Sequence, residues 1–308
     1  MPAAVKRAQD GAGEHYPRAY LFMLSGSLAF AVMGALSHLA GGRVEWQVVA
    51  LARTAVAFAL SAGLAAATGV RLVMWRPLTL WVRSLAGSAG VLCAFYALTH
   101  LPISTALTLS NTVPVWVTLL AWPALGQRPT RAVWAAVAAG LAGIVLIQRP
   151  EAAGERLAAL AAVGNALCTS VAMIGLNRLR GVDARAVVTH FSGVSTAVTL
   201  AVLLLTGGGA ARAAFNDSLT PMLLAGVGLA GTLGQLAMTR AFALGTPARV
   251  SVVGLMQVVF ALAFDVLFWR RSLDAVTALG ILLVIAPSAW LLRRYPLREN
   301  AVIHTTTS

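Results

Sequence analysis

Positively charged and amide side chains stand inside or beside the long apolar stretches of this chain. Arg53 lies within one such stretch, and Arg240 and Arg249 flank a short turn between two others. Gln235 and Gln257 add amide groups to the same neighbouring stretches. Guanidinium and amide groups donate hydrogen bonds to carboxylates and phosphates, and an ionisable group in apolar surroundings is costly enough to indicate a role. These five residues are therefore candidates for binding an anion or a zwitterion.

Arg53 also has a structural interpretation, in which its side chain snorkels or bonds the carbonyls of a helix end. Acidic side chains are nearly missing from the same stretches. Of ten Asp and Glu residues, Asp265 falls near the end of one apolar stretch and Asp274 at the edge of the next. Coupling to a proton would instead need His38, His100 or His190, whose pKa can fall in the working range. The pattern favours an uncoupled or solute-exchanging process over ion coupling.

Hydroxyl side chains mark one face of a further apolar stretch. Thr105, Thr108 and Thr112 are spaced i, i+3 and i+7, which aligns them on a helix, and Pro114 frees a backbone carbonyl nearby. Such a face suits a bound solute, and hydrogen bonding between helices is the structural alternative. The candidate substrate contacts are Arg53, Phe95, Tyr96, Thr108, Asn111, Trp116, Gln235, Arg240, Ser251 and Gln257.

Covalent and metal chemistry have little support in the sequence. Cys93 and Cys168 lie in apolar stretches without the spacing of metal ligands, and no motif joins a nucleophile to a base. We predict no catalytic residue, metal or cofactor. An intramembrane enzyme, which would alter its substrate chemically, and a structural subunit, which would move no solute, stay as alternatives. Nucleic acid is disfavoured as a partner because basic residues never occur in runs longer than two.

The elements that must position these residues are membrane-spanning helices. The chain has 308 residues, 59% apolar and only 11% charged, whereas soluble domains carry about 25% charged residues. A spanning helix needs roughly 20 mostly apolar residues, and the alternation of a membrane barrel is missing. Ten such stretches are predicted, at 20–40, 46–68, 79–99, 103–123, 130–148, 156–176, 186–207, 220–243, 248–269 and 273–292.

The distribution of basic residues predicts the orientation. With the N-terminus in the cytoplasm, fifteen Lys and Arg residues, Arg83 among them, lie on the inner side and six on the outer side. The remaining two, Arg53 and Arg240, are assigned to spans. Because inner loops are enriched in Lys and Arg, both tails, 1–19 and 294–308, are predicted to be cytoplasmic.

Two halves of five spans meet near residues 150–154. Gly87 and Gly90 in the third span of the first half correspond at one offset to Gly231 and Gly234 in the second, and a short proline-containing turn follows each pair. Small residues of this kind permit close helix packing. An odd number of spans per half inverts the second half in the membrane, an arrangement typical of secondary transporters. The predicted fold is all-α, with ten transmembrane helices in two inverted five-helix repeats.

The phrase FYALTHLPISTA at 95–106, followed by Pro114 and Trp116, resembles the third-to-fourth helix of the EamA-type drug/metabolite transporter superfamily. Residues 20–149 and 155–293 resemble two EamA repeats. The resemblance implies a ten-helix carrier with cytoplasmic termini and a central cavity walled by helices 1, 3, 4, 6, 8 and 9. One departure is that Gln127 and Arg271 stand where the family commonly has Glu.

The sequence thus predicts an alternating-access carrier or exchanger in the cytoplasmic membrane. Its predicted cargo is a small organic anion or zwitterion, such as a carboxylate, an amino acid or a nucleoside-like compound. The main alternative is a proton-driven multidrug or metabolite exporter. The expected partners are the lipid bilayer and a small-molecule substrate, and the sequence is silent on the oligomeric state and on the direction of transport.

Overall fold

The computed structural model describes residues 16–101, 103–150, 155–205, 218–270 and 272–294, and within these ranges the chain forms helices and turns without a strand. Most of the two predicted tails, the 151–154 junction and Arg271 lie outside the described residues. The first helix begins inside the predicted N-terminal tail, at Tyr16.

Twelve helices are described, six on each side of the 151–154 junction. The first six are α1 (Tyr16–Gly41), α2 (Trp46–Ala67), α3 (Leu78–His100), α4 (Ile103–Ser110), α5 (Val113–Leu125) and α6 (Arg131–Gln148). The second six are α7 (Arg156–Arg178), α8 (Ala184–Leu205), α9 (Leu219–Leu244), α10 (Pro247–Gly254), α11 (Met256–Trp269) and α12 (Ala275–Arg294).

Seven helical stretches of the described residues are long and apolar enough to cross a membrane. They are Pro17–Gly41, Trp46–Ala67, Arg131–Gln148, Arg156–Arg178, Ala184–Leu205, Leu219–Leu244 and Pro247–Phe268. Shorter apolar helical segments occur at Leu78–Ala94 and Ala275–Leu291. Because lipid replaces water around such segments, large apolar side chains remain at the surface, as Leu85, Leu204 and Phe268 illustrate.

Two of the predicted spans are not single helices. The span predicted at 103–123 breaks at Asn111 and Thr112, between α4 and α5, and the span predicted at 248–269 breaks at Leu255, between α10 and α11. Pro114 and Pro247 stand at the first turns of α5 and α10, where a missing N–H costs nothing. The threonine face predicted along 105–112 was therefore wrong as one continuous face, because Thr112 lies beyond the end of α4.

The main packing partners come from opposite halves of the chain. Helix α1 packs most closely against α9, α2 against α8, α3 against α7, and α6 against α12. Two weaker contacts also join the two halves: α11 packs against α1, and α5 packs against α7. Each half is thus held by the other half more than by itself.

Glycines permit the closest of these contacts. A Cβ added at Gly87 would lie 2.7 Å from the Phe191 ring on α8, and one at Gly90 would lie 3.2 Å from the Thr169 hydroxyl on α7. A Cβ at Gly234 would lie 2.8 Å from the ring of Phe30 on α1. The packing role predicted for these glycines is confirmed.

An acidic cap at the start of α8 provides a test of pH dependence. Oδ1 of Asp183 accepts hydrogen bonds from the backbone N–H and Nε of Arg185, at 2.8 and 2.9 Å, and this pairing lowers the pKa of Asp183 from 3.8 to about 2. A lowered folded pKa adds stability above the unfolded value, and that stability is lost as the pH falls through about 2.

We expect Asp183→Asn to lower the unfolding midpoint slightly above pH 4 and progressively less towards pH 2, because the carboxylate of the parent protein then becomes protonated as well. Thermal unfolding of both proteins in one detergent across this pH range measures the difference. A difference that stays constant down to pH 2 would contradict the assignment.

Candidate functional site

Arg53 lies in the third turn of α2 and is partly buried. The side chain lies against α9, where a Cβ added at Gly231 would be 3.4 Å from its Cγ and 3.7 Å from its Nε. One turn earlier on α9, Gly228 faces Val56 in the same way. Gly231 thus leaves the space in which the Arg53 side chain lies, while Gly228 lets α2 and α9 approach at Val56. The predicted position of Arg53 within a span is confirmed.

Arg83 is a second arginine of the spans, and its predicted position among the inner flanking residues was wrong. It lies in the second turn of α3 with only 2% of its surface exposed. Its guanidinium carbon lies 3.7 Å from the centroid of the Phe191 ring. Its Nε and Nη1 are buried without a hydrogen-bond partner.

Burial is the main cost to the charge on Arg83, and the like charge of Arg53 adds to that cost. Gln235, also buried, has an Nε2 donor without a partner, and it lies one helical turn from Gly231 on the same face of α9. Within the described residues, none of the three bonds a carboxylate: the ion pairs found there join Arg149 to Asp274 and Arg185 to Asp183, at the ends of helices. The interior therefore holds two positive charges and an amide donor.

Helix α8 is fixed beside Arg83 by buried polar contacts. Nε2 of His190 donates to the Met74 carbonyl at 3.1 Å, so its Nδ1 accepts from the Ser84 hydroxyl at 2.9 Å. Both ring nitrogens of a neutral His190 are therefore engaged. Two further hydroxyl pairs continue along α8, Ser88 with Ser195 at 2.8 Å and Thr54 with Thr199 at 3.2 Å.

The predicted site residues of the fourth and ninth spans lie around the two helix breaks. Asn111 lies at the first break and donates to the Leu107 carbonyl at 2.8 Å, while Nε1 of Trp116 donates to Thr112 at 3.2 Å. Ser251 is buried one turn before the second break, and Gln257 follows that break. Thr108 is also buried, in α4.

The other predicted residues lie towards the helix ends. Tyr96 stacks on His100 in the last turns of α3, with centroids 4.2 Å apart. Arg240 is exposed, 5.6 Å from the ring centroid of Phe22. Arg249 lines a cavity of about 40 Å³ together with Gln127, Arg128, Thr130 and Thr246. The side chain of Phe95 lies outside the described residues.

A face of α3 could have revealed Arg83 from the sequence. Arg83, Gly87 and Gly90 are spaced i, i+4 and i+7, so the arginine shares the face of the packing glycines and cannot point to a loop or to lipid. Arg83 is only the sixth residue of α3, so hydropathy alone does not distinguish it from a residue that flanks the span.

Comparison with known families decides the class of the fold. The profile of the EamA-like transporter family matches twice, at residues 17–149 and 156–293, which together span nearly the whole chain. The chain belongs to the EamA-like transporter family. The resemblance to the EamA family that the sequence predicted is confirmed.

Characterised relatives of this EamA-like protein are named as transporters. The pseudopaline exporter CntI of Pseudomonas aeruginosa is 29% identical over 86% of this chain and 93% of the exporter. A riboflavin transporter of Rhizobium johnstonii is 30% identical over 73% of this chain and 72% of its own length. Solute carrier family 35 member G1 of Mus musculus is 24% identical over 68% of this chain and 60% of its own length.

A solved crystal structure has the same fold as this EamA-like protein. It superposes with a TM-score of 0.79 at 20% identity, over 90% of this chain and 98% of the other. At that identity the likeness supports the fold alone. Family membership and the apolar helices together establish a multi-pass membrane transporter, which implies a small-molecule substrate.

Proposed function

We propose that the protein is an alternating-access carrier of the cytoplasmic membrane that moves a small organic anion or zwitterion. The observation that carries the proposal is a pair of arginines in the spans, Arg53 packed against α9 and Arg83 buried in α3, neither of which pairs with a carboxylate among the described residues. A buried charge that the protein itself leaves unpaired is costly, so it is retained where a ligand supplies the opposite charge.

We propose that this carrier consists of ten spans arranged as two inverted repeats. Each broken helix pair, α4 with α5 and α10 with α11, serves as one span. The hydroxyl of Ser27 on α1 donates to the Gly254 carbonyl at the second break, and the hydroxyl of Ser170 on α7 donates to the Val113 carbonyl at the first, at 3.3 and 3.2 Å. A contact that recurs with the two halves exchanged supports an inverted repeat.

The relatives' names support a metabolite as cargo, since they give pseudopaline and riboflavin as transported compounds. Ion coupling has less support. The described acidic residues of the spans are limited to Asp265, near the end of α11, and His190 is satisfied as a neutral ring. The carrier is therefore a facilitator or exchanger, and solute gradients set the direction of net flux.

Reconstitution tests the proposal. Purified protein is first screened by thermal shift against a metabolite library, and compounds that raise the unfolding midpoint are then assayed for counterflow in liposomes. We expect stabilising compounds to be anionic or zwitterionic and to exchange at a saturable rate. A preference for cationic solutes, or chemical alteration of a solute by the protein, would contradict it.

The proposed orientation gives a separate prediction. A green fluorescent protein fused after Ser308 should be fluorescent in bacterial cells, and alkaline phosphatase fused at the same place should be inactive, because inner loops carry the excess of basic residues. Fusions in the loop at Gly42, which is proposed to lie outside, serve as the control and should give the opposite pair of signals. An active phosphatase at the C-terminus would reverse the orientation.

A further inference from the structure

The number of interior positive charges constrains the cargo further than its sign. We propose that Arg83 forms a second anion-binding position beside Arg53, so that the cargo carries two negative charges. This inference rests on the proposed carrier function. It adds the number of negative charges on the cargo, and that number can be wrong while the proposed carrier function is right.

Packing holds the Arg83 guanidinium in place. A Cβ added at Gly175 of α7 would lie 3.0 Å from the Cβ of Arg83, and one added at Gly87 would lie 3.4 Å from its Nη1. The Phe191 ring covers the guanidinium at 3.7 Å.

The polar atoms that lack a hydrogen-bond partner in the interior are donors. Arg83 leaves Nε and Nη1 without acceptors, and Gln235 leaves Nε2 without one. Two buried acceptors also lack a partner, Oε1 of Gln47 and Oε1 of Gln127. Gln47 lies in the first turn of α2, and Gln127 follows the end of α5. A ligand that satisfies the interior must therefore bring acceptors, which is what carboxylates and phosphates supply.

The two arginines reach the interior from different sides, so two negative charges on the cargo are needed to pair with both. Arg53 comes from α2 and lies along α9, whereas Arg83 comes from α3 and lies between α7 and α8. A monoanion pairs with one arginine and leaves the other positive charge unpaired in a medium of low dielectric constant. A dianion neutralises both.

Matched anions test the charge count. Thermal shift of the full-length protein is recorded with succinate and glutarate, each against its monoamide, and with glycerol 3-phosphate, all at equal ionic strength and pH 7.5. We expect the dianions to reach half-saturation at concentrations at least about tenfold lower than the monoamides, since one more charged hydrogen-bonded contact is made. Equal responses to both classes would overturn the inference and leave the carrier proposal standing.

Variants of Arg83 test whether this residue causes the preference for dianions. We expect Arg83→Gln to bind dianions and monoamides equally, whereas Arg71→Gln, a charge-matched change in an exposed loop, keeps the preference. Arg83→Met should unfold at a higher temperature than the parent protein when no anion is present, because it removes an unpaired buried charge and its repulsion by Arg53. A lower midpoint for Arg83→Met, or an intact preference in Arg83→Gln, would overturn the assignment.

Counterflow separates the two proposals. Liposomes loaded with glutarate are expected to take up labelled glutarate faster than liposomes loaded with its monoamide take up the labelled monoamide. Counterflow of a cation with no response to either anion class would overturn both the carrier's proposed specificity and the charge count.

Discussion

Replacing Arg53 with alanine is expected to abolish saturable solute flux while leaving the protein folded in the membrane. The guanidinium lies in the interior against Gly231, and no carboxylate of the described residues holds it there. Truncating one partner of a buried, hydrogen-bonded charge pair costs about 2–5 kcal/mol, which corresponds to roughly a 30-fold to several thousand-fold loss of affinity for an anionic cargo.

Counterflow in liposomes measures this loss, with the amount of reconstituted protein matched between variants. Arg71→Ala removes the same charge from an exposed loop and should leave the kinetics unchanged. Arg53→Lys keeps the charge without the planar fork, and we expect intermediate affinity from it. If Arg53→Ala had unchanged half-saturation and maximal rate, Arg53 would be a packing residue.

Replacing Gly143 with valine is expected to prevent stable folding, and replacing it with alanine should lower the free energy of unfolding by about 1–3 kcal/mol. Helices α6 and α12 touch through their backbones here. A Cβ added at Gly143 would lie 2.6 Å from the Gly280 carbonyl oxygen and 2.8 Å from Cγ2 of Val284. The reciprocal contact is as close, since a Cβ at Gly280 would lie 2.8 Å from the Gly143 carbonyl oxygen. Backbone atoms cannot move aside as a flexible side chain can.

The matched control is Gly63→Ala on α2, where an added Cβ meets nothing within 4 Å. This change should leave the unfolding midpoint unchanged or raise it slightly, because alanine has the higher helix propensity. Detergent-solubilised variants compared by thermal unfolding and size-exclusion chromatography give the result. A Gly143→Ala protein as stable as Gly63→Ala would mean that α6 and α12 do not meet closely.

Hydropathy was a strong guide to the helices. Apolar runs predicted the positions of α1, α2 and α6 to α9 to within about four residues at each end, because a lipid-facing helix must be apolar over most of its length. Hydropathy could not locate the breaks at Asn111–Thr112 and Leu255. A break leaves the run of apolar residues intact. Pro114, in the first turn of α5, marks the first break, whereas no proline stands beside Leu255.

The site was predicted less completely than the fold. The sequence singled out Arg53 and Gln235. In the structure Arg53 packs against Gly231 of α9, and Gln235 is buried one turn further along that helix. It missed Arg83, since a basic residue six positions into a helix satisfies the rule for cytoplasmic flanks equally well. Only the pairing of α3 with α7 and α8 shows that this side chain is enclosed, and pairing between distant segments cannot be seen in a single sequence.

The cross-pairing of helices has a consequence for biogenesis. The closest neighbours of α1, α2, α3 and α6 are α9, α8, α7 and α12, all of which leave the ribosome later. The first half must therefore wait in the bilayer with its glycine faces uncovered until the second half is inserted. During that interval the nascent protein is exposed to membrane proteases and to wrong helix partners, and translation speed through the second half sets how long the exposure lasts.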